Sequence, residues 1–145
     1  MERSDHNILH LLNQQVRRLN QRMNEKLKEY DLYMSQWVII YTLHTMGPMT
    51  QKEIWQYLNV EAPTVTRTIT RLEEKGWLVR KQGADKRQRI IHISPEAEQL
   101  KDEISTSIRK YENKQLLGLT KEEEHQLRHL LEKMMMEEGD HNAED

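Results

Sequence analysis

The chain has 145 residues, 36% of them hydrophobic, a mean hydropathy of −0.93 and a formal charge of −2, the size of one ordinary domain. It contains no cysteine, which excludes disulfides, thiolate metal sites and thiol-based redox sensing. No apolar run approaches the ~20 residues of a membrane span, and Met1 to His6 carry no apolar stretch of the signal-peptide kind, so a cytoplasmic location is expected.

The apolar content is low for a monomer that must close its own core. It fits either a heavily charged helical surface or a core completed by a second subunit. Ile8, Leu11, Leu12, Leu19, Met23 and Leu27 recur at helical spacing and predict a long amphipathic helix over residues 7–29. Ser35 is the expected cap of a second helix, apolar on most sides through Trp37, Val38, Ile40, Tyr41 and Leu43 and ended by Gly47-Pro48. Thr50 and Glu53 have the spacing of a capping box, in which hydroxyl and carboxylate satisfy each other's backbone amides. They open a short third helix that buries Ile54 and Leu58. Asn59-Val60-Glu61 then forms a turn.

A fourth helix is predicted from near Glu61 to Gly76, with Pro63 in its first turn, where a missing N–H costs nothing. At about 100° per residue, Ala62, Val65, Ile69 and Leu72 share one side. Pro63, Thr64, Arg67, Thr70 and Arg71 lie opposite, and Thr66 joins them as a candidate contact. One face packs and the other offers hydroxyls and guanidiniums. A major groove admits such a helix: arginine bridges O6 and N7 of guanine, and threonine reaches a phosphate or a thymine methyl. The plain alternative is a solvated charged face. A capped helix, a turn and a hairpin in series argue against it.

That hairpin is expected from Trp77–Lys81 and Gln88–Ser94, turned by Gly83-Ala-Asp85. Lys86 and Arg87 sit at its tip and Arg89 just after, long cations suited to the negative potential of a narrow minor groove. Asp85 is expected to support the wing, either by accepting from turn amides or by an ion pair with Arg87. Residues 61–92 hold eight Lys and Arg against four Asp and Glu, a balance of +4 that leaves −6 for the rest of the chain. Positive charge is gathered where DNA would be read.

Ser94-Pro95 restarts a helix with the stripe Ala97, Leu100, Ile104, Ile108 and Tyr111. Thr120 and Glu123 form a second capping box before a last helix carrying Leu127, Leu130, Leu131 and Met134. Residues 137–145 read as an acidic tail.

The run Pro63-Thr-Val-Thr66-Arg67, Leu72-Glu-Glu-Lys75-Gly76-Trp77-Leu-Val-Arg80 and the wing Asp85-Lys86-Arg87 followed by Ile93-Ser94 resemble the MarR family of bacterial transcriptional regulators. Ile93 and Ser94 stand where that family has Leu-Thr, and Glu61 where Ser is commoner. The resemblance covers nearly the whole chain. It implies a mainly α fold with a small β-hairpin, one MarR-like domain over 1–145. A winged helix-turn-helix would span 35–94, and helical dimerisation parts 7–29 and 95–136. It further implies a homodimer on double-stranded DNA, more plausibly a repressor than an activator, with a pseudo-palindromic operator whose half-sites lie ~10 bp apart. Members of the family often release DNA on binding a small aromatic or phenolic effector. Tyr30, Tyr33, Met34, Trp37, Tyr41 and Tyr111 are the candidate lining here, set against the plainer reading of each as core.

The pairs His6/His10 and His125/His129, each four residues apart, have the spacing of a chelating helix face. They are read as surface imidazoles, with a metal-responsive regulator as the alternative, and no cofactor is expected. No phosphate loop, G-x-G-x-x-G pattern or nucleophile–base pair points to an enzyme. A winged helix serving only as a protein-interaction module remains, opposed by the basic face of Arg67, Arg71, Lys86, Arg87 and Arg89.

Overall fold

The structure is a computed structural model that describes residues 7–141, with side chains to residue 136. The chain divides into two compact units, one up to Ile108 and one from Arg109 onward. In the first unit, α1 (Ile8–Leu27) is followed by a 3-10 turn (Lys28–Tyr30), α2 (Met34–Met46), β1 (Met49–Thr50), α3 (Gln51–Leu58), α4 (Ala62–Glu74), β2 (Leu78–Gln82) and β3 (Arg89–Ile93). A second 3-10 turn (Pro95–Ala97) leads into α5 (Glu98–Gln115), which runs on into the second unit, where α6 (Lys121–His141) follows. The fold is mainly helical with a small antiparallel sheet, as the sequence predicts.

The apolar stripe of α1 is buried only at its C-terminal end, through Met23 and Leu27; Ile8 remains 76% exposed, and Leu9, Leu11, Leu12 and Val16 are exposed with it. Asp31, in the left-handed region at φ 56°, reverses the chain after α1. The Leu32 amide reaches Leu27 O at 3.1 Å and the Asp31 amide Lys28 O at 3.1 Å, which satisfies the free carbonyls.

The expected Ser35 cap is not formed. Tyr33 holds the N-cap position of α2, and its amide donates to Gln36 Oε1 at 3.1 Å. The Met34 amide donates to Asn24 Oδ1 of α1 at 2.6 Å. A side chain from the preceding helix does what a local serine was expected to do. The apolar character of α2 is that of a core element: Trp37, Ile39, Ile40 and Leu43 are buried.

The capping box of α3 is present. Thr50 Oγ1 accepts from the Glu53 amide at 3.1 Å, and Glu53 Oε1 accepts from the Thr50 amide at 3.3 Å. Thr50→Ala removes one of these partners and is expected to cost about 1 kcal/mol of stability; urea denaturation of the two proteins at one concentration measures it, and an unchanged midpoint counts against the cap. Thr50 also belongs to β1, which pairs with β3 (Met49 opposite Ile91), giving the sheet order β1-β3-β2. This third strand was not predicted, because two residues are too few for a period of two to register. The first hairpin strand is shifted by one residue from the expected Trp77–Lys81, the second is one residue shorter at each end than Gln88–Ser94, and they pair from Leu78 opposite Ile93 to Gln82 opposite Arg89.

In the second unit, the Thr120 amide donates to Glu123 Oε1 at 2.9 Å and Thr120 Oγ1 accepts from the Glu123 amide at 3.1 Å, forming the expected box at the start of α6. These bonds to Thr120 hold the Glu123 carboxyl below its usual range. Leu127, Leu130, Leu131, Met134, Met135 and Met136 are exposed, and Leu116, Leu127, Leu131 and Met135 line an open groove of about 320 Å³. The helix continues through residues 137–141; the side chains of the predicted acidic tail, and residues 142–145 entirely, lie outside the described residues.

Candidate nucleic-acid interface

The recognition helix of the sequence reading is α4. Val65, Ile69 and Leu72 are fully or almost fully buried, and Ala62 is half-buried beside them. Pro63, Thr66, Arg67, Thr70 and Arg71 follow one another at the i, i+3, i+4, i+7, i+8 spacing of a single helical stripe, and all are exposed, as is Thr64. Glu61 is the N-cap but its side chain makes no capping hydrogen bond. Pro63 removes one of the amides that such a bond would have served.

The helix ends in a complete Schellman motif. The Trp77 amide reaches Leu72 O at 2.8 Å and the Gly76 amide reaches Glu73 O at 3.0 Å. Gly76 carries φ +83°, a conformation that an L side chain rarely adopts, so a glycine is needed where the chain leaves α4 for β2. Across this turn the buried Ser94 donates from Oγ to Gly76 O at 2.6 Å, and its amide donates to Trp77 O at 2.9 Å. The residue that stands for Thr in the Leu-Thr pattern thus pins the base of the hairpin to the end of the recognition helix.

At the tip, the Gly83 amide donates to Gln88 O at 2.9 Å and the Gln88 amide to Asp85 O at 2.9 Å. Asp85 Oδ1 accepts from the Arg87 amide at 3.1 Å. Of the two supports foreseen for Asp85, the bond to a turn amide is the one formed. Lys86, Arg87 and Arg89 are exposed. Among the described residues, Arg67, Arg71, Lys86, Arg87 and Arg89 enter no ion pair within 4 Å, whereas Lys75 and Arg80, in the same basic stretch, do.

Those two cations, with Gln51, are the residues that sequence reasoning did not single out. Arg80, half-buried on β2, donates from Nε to Glu73 Oε1 at 2.6 Å. With its amide oxygen turned to the guanidinium, Gln51 accepts from Nη1 at 3.0 Å and Nη2 at 3.1 Å. One guanidinium therefore links the wing, the recognition helix and the first turn of α3. Lys75 Nζ donates to Asp31 O at 2.5 Å and lies 3.4 Å from Asp31 Oδ2, tying the end of α4 to the corner after α1. The Glu73–Arg80 pair spans a turn marked by Gly76, the one signal that a reading of the sequence had for it.

A sequence model of the MarR family matches residues 32–88. The HTH-type transcriptional regulator YwoH of Bacillus subtilis (strain 168) is 49% identical over 123 residues, 85% of this chain and 90% of that protein. The chain belongs to the MarR family. Two solved structures show the same fold. One is the S. aureus MepR–DNA complex, with TM-score 0.82 and 23% identity over 92% of this chain and 99% of that one. The other is a MarR family regulator of Listeria monocytogenes complexed with a 26mer DNA, with TM-score 0.83 and 24% identity over 92% and 90%. This MarR-family protein is a transcriptional regulator with a winged-helix DNA-binding fold, and not an enzyme.

The candidate effector residues of this MarR-family protein are spread over different environments. Trp37 is 3% exposed in the core, 6.3 Å from the exposed Tyr41 ring, which in turn lies 6.2 Å from His44. Tyr30 is half-buried, and Tyr111 belongs to the second unit. Tyr33, 61% exposed, borders two open hollows of about 380 and 440 Å³, the larger also lined by Met34. His10, His125 and His129 are exposed and His6 lies outside the described residues; among the described residues no three His, Asp or Glu side chains are grouped to hold a metal ion. No helix among the described residues is long and apolar enough to cross a membrane.

Proposed function

We propose that this protein is a homodimeric repressor that reads a pseudo-palindromic operator. Each subunit places α4 in the major groove, with Pro63, Thr64, Thr66, Arg67, Thr70 and Arg71 toward the bases and phosphates, and the Lys86–Arg87 tip in the adjacent minor groove. The observation that carries this reading is the sorting of charge: among the described residues, Arg67 and Arg71 on α4 and Lys86, Arg87 and Arg89 on the wing enter no ion pair, while Lys75 and Arg80, between elements, are tied down. A free exposed guanidinium is available to replace the counterions of a phosphate or to bridge a guanine. The structural likeness to two proteins solved with DNA supports it. A second copy of the chain would cover the apolar residues left exposed on α1 and on α6. A cytoplasmic location accords with such a role.

Selection of bound duplexes from a random DNA pool tests the reading. An enriched palindrome with half-sites about one helical turn apart is the expected result. A folded dimer that enriches nothing moves the protein-interaction module to the front. Arg87→Ala is expected to weaken binding and to lower the slope of log K against log[salt] by about 1 per subunit, because one phosphate-directed cation is lost. An unchanged slope removes the wing from the mechanism.

The hollows beside Tyr33 and Met34 support a small aromatic or phenolic effector, since their lining combines a phenol, amides and apolar surface. Release of the selected duplex by such compounds, and its loss in Tyr33→Ala, would establish it. Release by divalent metals and not by phenols would favour the metal-responsive alternative.

A further inference from the structure

Threonine at 64, 66, 68 and 70 is unusual within one helix, because a β-branched hydroxyl residue lowers helix propensity. The hydrogen bonds of α4 show what these hydroxyls do. Thr66 Oγ1 donates to Ala62 O at 3.0 Å, Thr68 Oγ1 to Thr64 O at 2.9 Å, and Thr70 Oγ1 to Thr66 O at 2.9 Å. Each hydroxyl has one proton to give, and these three give it to the helix itself.

The acceptor side of the two exposed hydroxyls is approached as well. Arg80 Nη2 lies 3.5 Å from Thr70 Oγ1, a long donor contact. The end of the Gln51 amide opposite its Arg80 contact lies 3.4 Å from Thr66 Oγ1. With the oxygen turned to Arg80 and the Thr66 proton already on Ala62 O, this is the nitrogen end, and it donates. Both hydroxyls are engaged from inside the protein, by the same Arg80–Gln51 bridge that braces the wing. With the proton given to the helix, Thr66 and Thr70 have nothing to donate to a phosphate; what they have left for a ligand is the γ-methyl and one lone pair.

We infer that Thr66 and Thr70 read the major groove with their methyl groups, and that the operator half-site carries thymines beneath them. The inference rests on the proposed DNA-reading role of α4 and adds its base preference. The C5-methyl of thymine is the one apolar group that any of the four bases shows in that groove. Thr66 and Thr70 are one turn apart, about 6 Å along the helix, a separation compatible with thymine methyls one or two base steps apart. Arg67, between them on the stripe, enters no ion pair among the described residues and offers its fork to a guanine. Arg80 and Gln51 approach the two hydroxyl oxygens at 3.5 and 3.4 Å, on the side away from the helix carbonyls that take their protons.

The test is made first on the DNA, where no protein variant can misfold. In a duplex enriched by the unaltered protein, each thymine of the half-site is replaced by deoxyuridine, which keeps its pairing and its O4 but lacks the methyl. One or two positions per half-site are expected to lose about four-fold in affinity, and a symmetric pair about fifteen-fold, the worth of one and two buried methyls. Thr66→Val and Thr70→Val, which keep a methyl and lose the hydroxyl, should keep the deoxyuridine-sensitive positions of the parent. Thr66→Ser and Thr70→Ser should lose affinity and become indifferent to deoxyuridine at the matching position. An enriched duplex with no deoxyuridine-sensitive position overturns the inference. So does one whose sensitive positions ignore both serine variants, or a valine variant that becomes as indifferent to deoxyuridine as its serine counterpart. Each of these leaves the DNA-binding role standing. Failure to enrich any duplex sinks that role and the inference together.

Discussion

Arg67→Ala is expected to lower operator affinity by roughly 30-fold to 10⁴-fold while leaving the protein as stable as before. The size follows from geometry and symmetry. A guanidinium bridging the O6 and N7 of guanine is worth about 1–3 kcal/mol of discrimination, and a two-fold dimer loses it twice, about 2–6 kcal/mol, with each 1.4 kcal/mol a factor of ten. The stability side follows from what Arg67 touches in the free protein: it is exposed, and it enters no ion pair among the described residues. Removing it leaves no buried group unsatisfied, and surface changes of that kind stay within about 0.5 kcal/mol.

Arg67→Lys separates base reading from simple charge. Lysine keeps the positive charge but has no planar fork. If Arg67 reads a base, the lysine variant recovers most of the salt slope and little of the sequence preference. If Arg67 only touches a phosphate, lysine restores both, and even the alanine variant enriches the parent's consensus from a random pool. That last outcome would remove Arg67 from the bases and leave it on the backbone.

Much of this fold and of the candidate interface's framework was legible in the sequence, and the pattern of what was not has a physical cause. The Thr50–Glu53 and Thr120–Glu123 boxes, Pro63 at the start of α4, Gly76 at its end and the apolar face of Val65, Ile69 and Leu72 are local signals. Each is fixed by residues within a turn or two, so spacing alone reveals it. The parts that were missed are closed by partners far apart in the chain. Asn24 caps α2 from ten residues away, Lys75 reaches Asp31 across 44, and Thr66 meets Gln51 across 15. The two-residue strand β1 exists because β3 arrives some forty residues later to pair with it. Periodicity carries no record of such pairings. Exposure was also beyond it: the stripe of α1 is visible in the sequence, but burial of Met23 and Leu27 and exposure of Ile8 depend on what packs against each end. For the threonines, the sequence allowed both hydroxyl and methyl readings, and only the folded helix shows that the hydroxyl protons go to the i−4 carbonyls.

Ile69→Ala, on the opposite face of the same helix, should give the reverse result: a large loss of stability and little loss of intrinsic DNA affinity. Ile69 is 0% exposed, between the equally enclosed Val65 and Leu72. Truncating a fully buried isoleucine removes its transfer free energy and leaves a cavity, together about 2–5 kcal/mol. For a chain of this size that corresponds to a fall in melting temperature of about 6–16 °C, measured at fixed protein concentration because a dimer's midpoint depends on it. Total stabilities of about 5–15 kcal/mol leave most such molecules folded at 25 °C, and the stripe from Pro63 to Arg71 is untouched in them. Affinity corrected for the folded fraction should therefore stay near that of the parent, with the same deoxyuridine-sensitive positions. An unchanged melting temperature would mean that Ile69 does not anchor α4. A lost base preference in the folded fraction would mean that reading and packing are coupled through the helix and do not reside on separate faces of it.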